Sequence, residues 1–259
     1  MSKLVLHQSD LAQIQRCAHQ YYLRKTLGPR APGIAAHVGS GVHASAESNL
    51  LHKMHDAQVM PRDEAADVAY DVVNRRIDTD GVLLSEEEHA KGLLKVRGEA
   101  QDKAVRLALL HYDELAPKIE PVGIEIPWTV EVSGADVSLA GRIDLEVEGG
   151  IRDLKTASKA PASDAANKAD QLTVYALSYF VLRGKLPTVL GLDYLVDKTK
   201  PELTSQETTR TQEDFKVLLN RISTAVKLIQ GGIFMPCARD SWVCSKRFCG
   251  YYDQCQYAR

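Results

Sequence analysis

The spacing of apolar positions along this chain is helical at both ends and strand-like between. Up to Pro117 apolar residues recur every three to four positions, the period of one helix face. Ser9 is placed to cap a first helix running to about Lys25, and a Gly/Pro-rich loop from Gly28 to Gly33 follows. Gly39-Ser40-Gly41-Val42-His43 opens a second helix reaching about His55. Pro61 suits the first turn of a third, with Ala65, Val68, Ala69, Val72 and Val73 on one side. Ser85 and Glu88 make a capping-box pattern before a long helix that stops ahead of Pro117. The period then becomes two, predicting strands near 122–132, 136–147 and 150–155. A polar loop over 157–169, a helix over 170–182 and a strand over 188–196 come next. Residues 197–210 read as a loop. Thr211 caps a last helix, with Phe215, Leu218, Leu219, Ile222, Val226 and Ile229 along one stripe and Gly231-Gly232 at its end. From Ile233 the tail is irregular and rich in cysteine. This order predicts an α/β fold over 1–259 as a single domain, with a mixed sheet flanked by helices and a helical insertion over 56–117.

Composition adds bounds. The chain has 259 residues, 44% hydrophobic and 25% charged, enough for a sizeable core. A net charge of −2 gives no global basic field, so any nucleic-acid surface must be a local patch. The first ten residues lack the basic start and apolar run of a signal peptide, and no stretch approaches the ~18 apolar residues of a membrane span. The expectation is a cytoplasmic protein with no membrane partner. Five cysteines in a reducing compartment point to metal or cluster ligation rather than disulfides.

The chemistry concentrates in the hairpin Gly141 to Lys155. With Glu148 and Gly149 as a two-residue loop, Val147 faces Gly150 and Asp144 faces Asp153. Asp153 and Lys155 then share a face while Leu154 points away. Adjacent carboxylates repel unless something cationic lies between them, and a hard divalent metal is a natural occupant. A solvated hairpin with a surface salt bridge accounts for the same residues, so the hairpin alone leaves both readings open. Gln171 and Tyr175, four apart, share a helix face and offer hydrogen bonds to a phosphate, a base or a water. A polar helix edge is the plainer account. His43 lies in a glycine-flanked setting that permits close backbone approach.

Taken together, His43, the Gly-x-Ile-Asp at 141–144, the Asp-x-Lys at 153–155 and the Gln-x-x-x-Tyr at 171–175 resemble the PD-(D/E)XK nuclease superfamily, in particular its RecB-like exonuclease branch. The resemblance implies a restriction-endonuclease-like core. It implies His43, Asp144, Asp153 and the Leu154 carbonyl as ligands of Mg²⁺ or Mn²⁺. It gives Lys155 the orienting or activation of water, and Gln171 and Tyr175 contacts to DNA or nucleophile. Glu125 is a further carboxylate one step from the cation, or an exposed strand residue.

Cys244, Cys249 and Cys255 lie close together in the tail, and Cys17 stands far away in Gln15-Arg16-Cys17-Ala18-His19. One N-terminal and three C-terminal cysteines resemble the iron–sulfur clasp of RecB-like and CRISPR-adaptation nucleases, which implies a [4Fe–4S] cluster joining the 233–259 tail to Cys17. The spacing of the first two tail cysteines is wider than the family's commoner pattern, and Ala18 stands where a proline often follows. Cys237 has no place in that set. A zinc site from Cys237, Cys244, Cys249 and Cys255 is the rival. Arg16, Arg24, Lys25, Arg30, Arg142, Lys159 and Lys168 are candidates for a phosphate path, and Tyr21, Tyr22, Tyr251 and Tyr252 for clasp packing or base stacking.

Gly28 and Gly33 have P-loop spacing, but Ile34 follows where a lysine is required, so no ATP-driven motor is expected. The expected function is a metal-dependent DNA exonuclease of recombination, repair or phage and mobile-element DNA processing, with a helicase, recombinase or integrase as partner. A CRISPR-adaptation trimming nuclease and a catalytically silent DNA-binding scaffold are the alternatives.

Overall fold

In the computed structural model, which describes residues 3–258, strand β1 (Leu4–His7) leads into helix α1 (Gln8–Leu27). Helices α2 (Ile34–Asp56), α3 (Arg62–Asp80), α4 (Glu86–Lys91) and α5 (Leu93–Leu110) follow, then a π-helical turn at His111–Leu115 and a 3-10 turn at Ala116–Lys118. Strands β2 (Pro121–Val132), β3 (Val137–Val147) and β4 (Gly150–Ala157) precede the short helix α6 (Ala165–Lys168) and helix α7 (Asp170–Arg183). Strands β5 (Val189–Val196) and β6 (Glu202–Thr208) and helix α8 (Gln212–Gln230) complete the order. Among the described residues no helix is long and apolar enough to cross a membrane.

The chain divides into two compact units. The larger comprises 32–127 and 142–210. In it β3 pairs antiparallel with β4, β4 parallel with β5, and β5 antiparallel with β6. Its core joins Val38, Val42 and Leu50 of α2, Val73 and Ile77 of α3, and Ala104 and Leu107 of α5 to Leu145, Leu154 and Leu195 of the sheet. Because side chains alternate along a strand, α2, α3 and α5 cover the Leu154 face, and α7 meets the Asp153 face. The buried Arg210 guanidinium ties down the entry to α7. Its Nη2 donates to the carbonyls of Ala166, Asn167 and Ala169, and its Nε donates to Thr173.

Three local readings change in this unit. Helix α2 begins at Ile34, so Gly39 and Gly41 lie inside it rather than at its start. A Cβ on Gly41 would fall 2.6 Å from the Ala69 carbonyl oxygen, so this glycine serves close α2–α3 packing, not a turn. The Ser85/Glu88 capping box starts only the short α4, which Gly92 ends at φ +84 before α5 begins separately. Residues 202–208 form an edge strand where a loop was expected. Its alternation is carried by Glu202, Thr204, Gln206 and Thr208, and a polar edge strand lacks the apolar signal that marks an inner one.

Gly149 and Gly150 are fixed by different demands. Gly149 turns the β3–β4 hairpin at φ +80. Gly150 lies against β5, where a Cβ would fall 1.8 Å from the Val189 carbonyl oxygen. Gly150→Ala must therefore part β4 from β5, and we expect a stability loss of roughly 3 kcal/mol. Gly98→Ala, on α5 with nothing within 4 Å, should stabilise by up to about 1 kcal/mol. Paired denaturant melts check both signs.

The smaller unit comprises the described residues of 1–31, 128–141 and 211–259. Here β1, a strand absent from the sequence reading, pairs parallel with Val137–Ala140 of β3. The predicted stripe of α8 is buried at Phe215, Leu218, Ile222 and Val226. Ser9 lies inside α1 rather than capping it. His7 takes the cap position, its N–H donating to Asp10 Oδ2 at 2.9 Å. Cys17 interrupts α1 with extended backbone, φ −163 and ψ 100, and the Cys237 N–H donates to its sulfur at 3.4 Å.

Candidate active site

The β3–β4 hairpin sets the site's geometry. Val147 pairs with Gly150, Glu146 with Ile151 and Leu145 with Arg152, so the next rung puts Asp144 beside Asp153. This is the register the two-residue turn predicts. Asp153 is 1% exposed. Its Oδ1 accepts from Gln171 Nε2 at 2.8 Å and from the Tyr175 hydroxyl at 3.2 Å, while Gln171 Nε2 also lies 2.9 Å from that hydroxyl. Lys155 Nζ is 2.5 Å from Asp153 Oδ2, so this buried oxygen is ion-paired with the ammonium. Helix α2 contributes His43, whose Nδ1 lies 3.5 Å from Asp144 Oδ2. The ring also hydrogen-bonds the Leu154 backbone. The structure thus brings His43, Asp144, Asp153, Leu154, Lys155, Gln171 and Tyr175 together.

The electrostatics follow from crowding. Burial, then the neighbouring Asp153 carboxylate, pushes the Asp144 carboxyl up to about 8, against the pull of Lys155. Burial lowers the His43 imidazole, with Asp153 opposing. Burial also raises the Tyr175 phenol, and the Asp153 and Asp144 charges raise it further, so it stays a donor. A carboxyl whose folded value lies above its ordinary 3.8 gives stability that is complete below pH 3.8 and lost as pH rises through about 8. In EDTA, the wild-type protein should therefore lose melting temperature between pH 5 and 8 relative to Asp144→Asn. Parallel scans of the two across that range would expose an error in this assignment.

Two features escape the sequence reading. Glu47, one turn after His43 on α2, lines the same cleft of about 390 Å³ with Glu125, Asp144 and His43. Burial and then Glu125 raise its carboxyl, and Arg142 lowers it. Its spacing from His43 was the available signal. On the opposite face of β4, Arg152 makes a two-pronged ion pair with buried Asp193 at 2.7 Å, and Ser205 donates to the same carboxylate at 2.5 Å. His111, in the π-helical turn, lines this end of the cleft, and burial drops its imidazole to about 4, so it is neutral. Glu125 pairs with Arg142 at 3.2 Å.

The smaller unit gathers all five cysteines, each a free thiol, around one small cavity. Burial pushes the Cys237 thiol up to about 12, and the nearby Cys17 and Cys244 add to the rise. Burial likewise raises the Cys249 thiol, with Cys17 and Cys255 contributing. Cys237 thus belongs to the group from which the sequence reading left it out. Of the candidate phosphate contacts, Arg24 is spent on buried Asp10 and Arg30 on Gln254. Tyr21 and Tyr251 are buried, the latter donating to the Gly28 carbonyl at 2.6 Å. These two pack the unit and present no face to a base.

Among the described residues, no three His, Cys, Asp or Glu side chains converge closely enough to hold an ion as they stand. The donor chemistry nevertheless fits. The hairpin site sets two carboxyl groups side by side, with burial and the Asp153 charge raising Asp144, a crowding that a divalent cation would relieve. The cysteine site has mutually crowded thiols that a cation would relieve.

Two acids and a lysine thus stand together on one hairpin. The sequence profile of the PD-(D/E)XK nuclease superfamily matches residues 6–256, and the chain belongs to that superfamily. A crystal structure from Eubacterium rectale named "putative exonuclease" superposes with a TM-score of 0.59 at 14% identity, covering 90% of this chain and 84% of that one. That likeness is one of fold. No curated protein sequence matches the chain.

Proposed function

We propose that this protein is a divalent-metal-dependent deoxyribonuclease of the RecB-like branch that hydrolyses phosphodiester bonds at DNA ends. The observation that carries the reading is the pair Asp144 and Asp153 side by side on neighbouring strands, with Lys155 ion-paired to Asp153 Oδ2. His43, Asp144, Asp153 and the Leu154 carbonyl would hold Mg²⁺ or Mn²⁺. That cation neutralises charge developing on the phosphoryl group and makes water a better nucleophile. Asp153 anchors the Lys155 ammonium beside the reacting phosphate. Gln171 and Tyr175 fix Asp153 Oδ1 by two hydrogen bonds, so Oδ2 keeps one direction. The name of the Eubacterium rectale protein supports action on ends. Recombination, repair and the processing of phage or mobile-element DNA are the settings that use such an activity. Digestion of DNA labelled at one end, single-stranded and duplex, with Mg²⁺ or with EDTA, tests the reading. Loss of label as mononucleotides only with metal is expected, and undigested or internally cut DNA opposes it.

We propose further that Cys17, Cys244, Cys249 and Cys255 hold a [4Fe–4S] cluster. The rival zinc set leaves out Cys17, yet Cys17 stands among the thiols that raise both Cys237 and Cys249. The cluster's part is structural, tying the interrupted first helix to the tail.

A further inference from the structure

Two large rings of the cysteine tail stand in water. Trp242 is 61% exposed and Phe248 49%, whereas the chain's other tryptophan, Trp128, is 5% exposed. The two rings meet edge to face, 5.0 Å between centroids at 87°. Their backbone is braced. Ser245 Oγ donates to the Trp242 carbonyl at 3.1 Å, and the Phe248 N–H to the Ser245 carbonyl at 3.1 Å. Val243, between Trp242 and Cys244, is buried. The rings are therefore presented by a fixed turn rather than left on a loose end.

Cations accompany them. The Arg247 guanidinium lies 5.3 Å from the Phe248 ring centroid. Among the described residues Arg247 has no acidic partner, and exposed Lys246 pairs with Asp253 at 3.4 Å. An apolar protein partner would use the rings and leave these charges desolvated and unmatched. A strand with unpaired bases uses both, because every base has a face to stack and a phosphate beside it.

We propose that Trp242 and Phe248 form a stacking platform for the unpaired bases of a single nucleic-acid strand, with Lys246 and Arg247 meeting its phosphates. This rests on the nuclease reading and extends it to a strand-binding surface outside the acid cleft. A base-paired duplex keeps its internal faces stacked and gains little from such a platform.

The test is binding in EDTA of fluorescein-labelled (dT)20 and of a blunt 20-base-pair duplex, using wild type, Trp242→Ala, Trp242→Phe and Phe248→Ala. Trp242→Ala should weaken (dT)20 roughly tenfold and the duplex less than about twofold, and Trp242→Phe should recover most of the loss. Oligothymidylate should quench the tryptophan emission of wild type but not of Trp242→Ala, since Trp128 is buried. Arg247→Ala should reduce the salt slope of (dT)20 binding by about 0.7. An unchanged melting temperature and metal content show that each variant keeps its fold. Equal (dT)20 affinity for Trp242→Ala and a wild type that cuts DNA would overturn the platform and leave the nuclease reading standing. So would equal losses on both ligands, or a changed sedimentation coefficient of the free protein without any change in binding. A wild type that neither binds nor cuts DNA would overturn both.

Discussion

Asp153→Asn is expected to lower cleavage of end-labelled DNA by more than about 1,000-fold, with melting temperature and DNA affinity in EDTA nearly unchanged. Asparagine keeps the shape and an oxygen that can still accept from Gln171 and Tyr175, so the contacts to α7 survive. The charge does not survive. Lys155 loses its carboxylate partner 2.5 Å away, and a metal loses an anionic ligand on the same atom. Lys155→Ala probes the other half of the pair. A group that moves or steadies a proton contributes about 100- to 10,000-fold, so a smaller but still large loss is expected. Its second signature is in the pH profile. Lys155 is the group that pulls the Asp144 carboxyl down against burial and Asp153. Without it, the acid limb of the rate profile should move to higher pH. Digestion by either variant at the wild-type rate would mean that the hydrolytic site lies elsewhere or that a contaminant does the cutting.

The hairpin was legible because its determinants are local. A turn of Gly149 sets the register, and period-two alternation assigns each side chain to a face, so Asp144 and Asp153 are neighbours before any packing is known. Helix α8 was legible for the same reason, its stripe and caps lying within one segment. What failed was non-local. Arg152 and Asp193 are 41 residues apart and acquire meaning only when β4 and β5 pair in parallel. Gly150 looks like a turn residue until β5 is laid against it. Cys17 sits in a helix-forming run, and the extended backbone there follows from its sulfur meeting Cys237, 220 residues later. The edge strand β6 is polar, so its alternation carried no apolar mark. At Cys17 and Gly150 the tertiary contact overrides the local preference.

Cys17→Ser is expected to cost the protein its iron and on the order of 10 °C in melting temperature. The argument is one of chain entropy. A cluster bonded to Cys17 and to the tail closes a loop comparable to the 220 residues between Cys17 and Cys237. On the cross-link model such a closure removes about 5 kcal/mol of unfolded-state entropy. For a domain of this size that corresponds to roughly 10–20 °C, reduced where the clasped segment unfolds by itself. Serine fills nearly the same volume as cysteine but is a poor ligand for iron, so the lost stability belongs to the bond and not to packing. The wild type should be brown, with about four irons per chain. Cys237→Ser is the discriminating companion, because Cys237 lies against Cys17 and Cys244 without a place in the four-thiolate set. It should keep its colour and iron. If it bleaches while Cys17→Ser stays brown, the ligand set is wrong by one residue. If the wild type carries a single zinc and no iron, and Cys237→Ser loses that zinc while Cys17→Ser keeps it, the ligands are Cys237, Cys244, Cys249 and Cys255 instead.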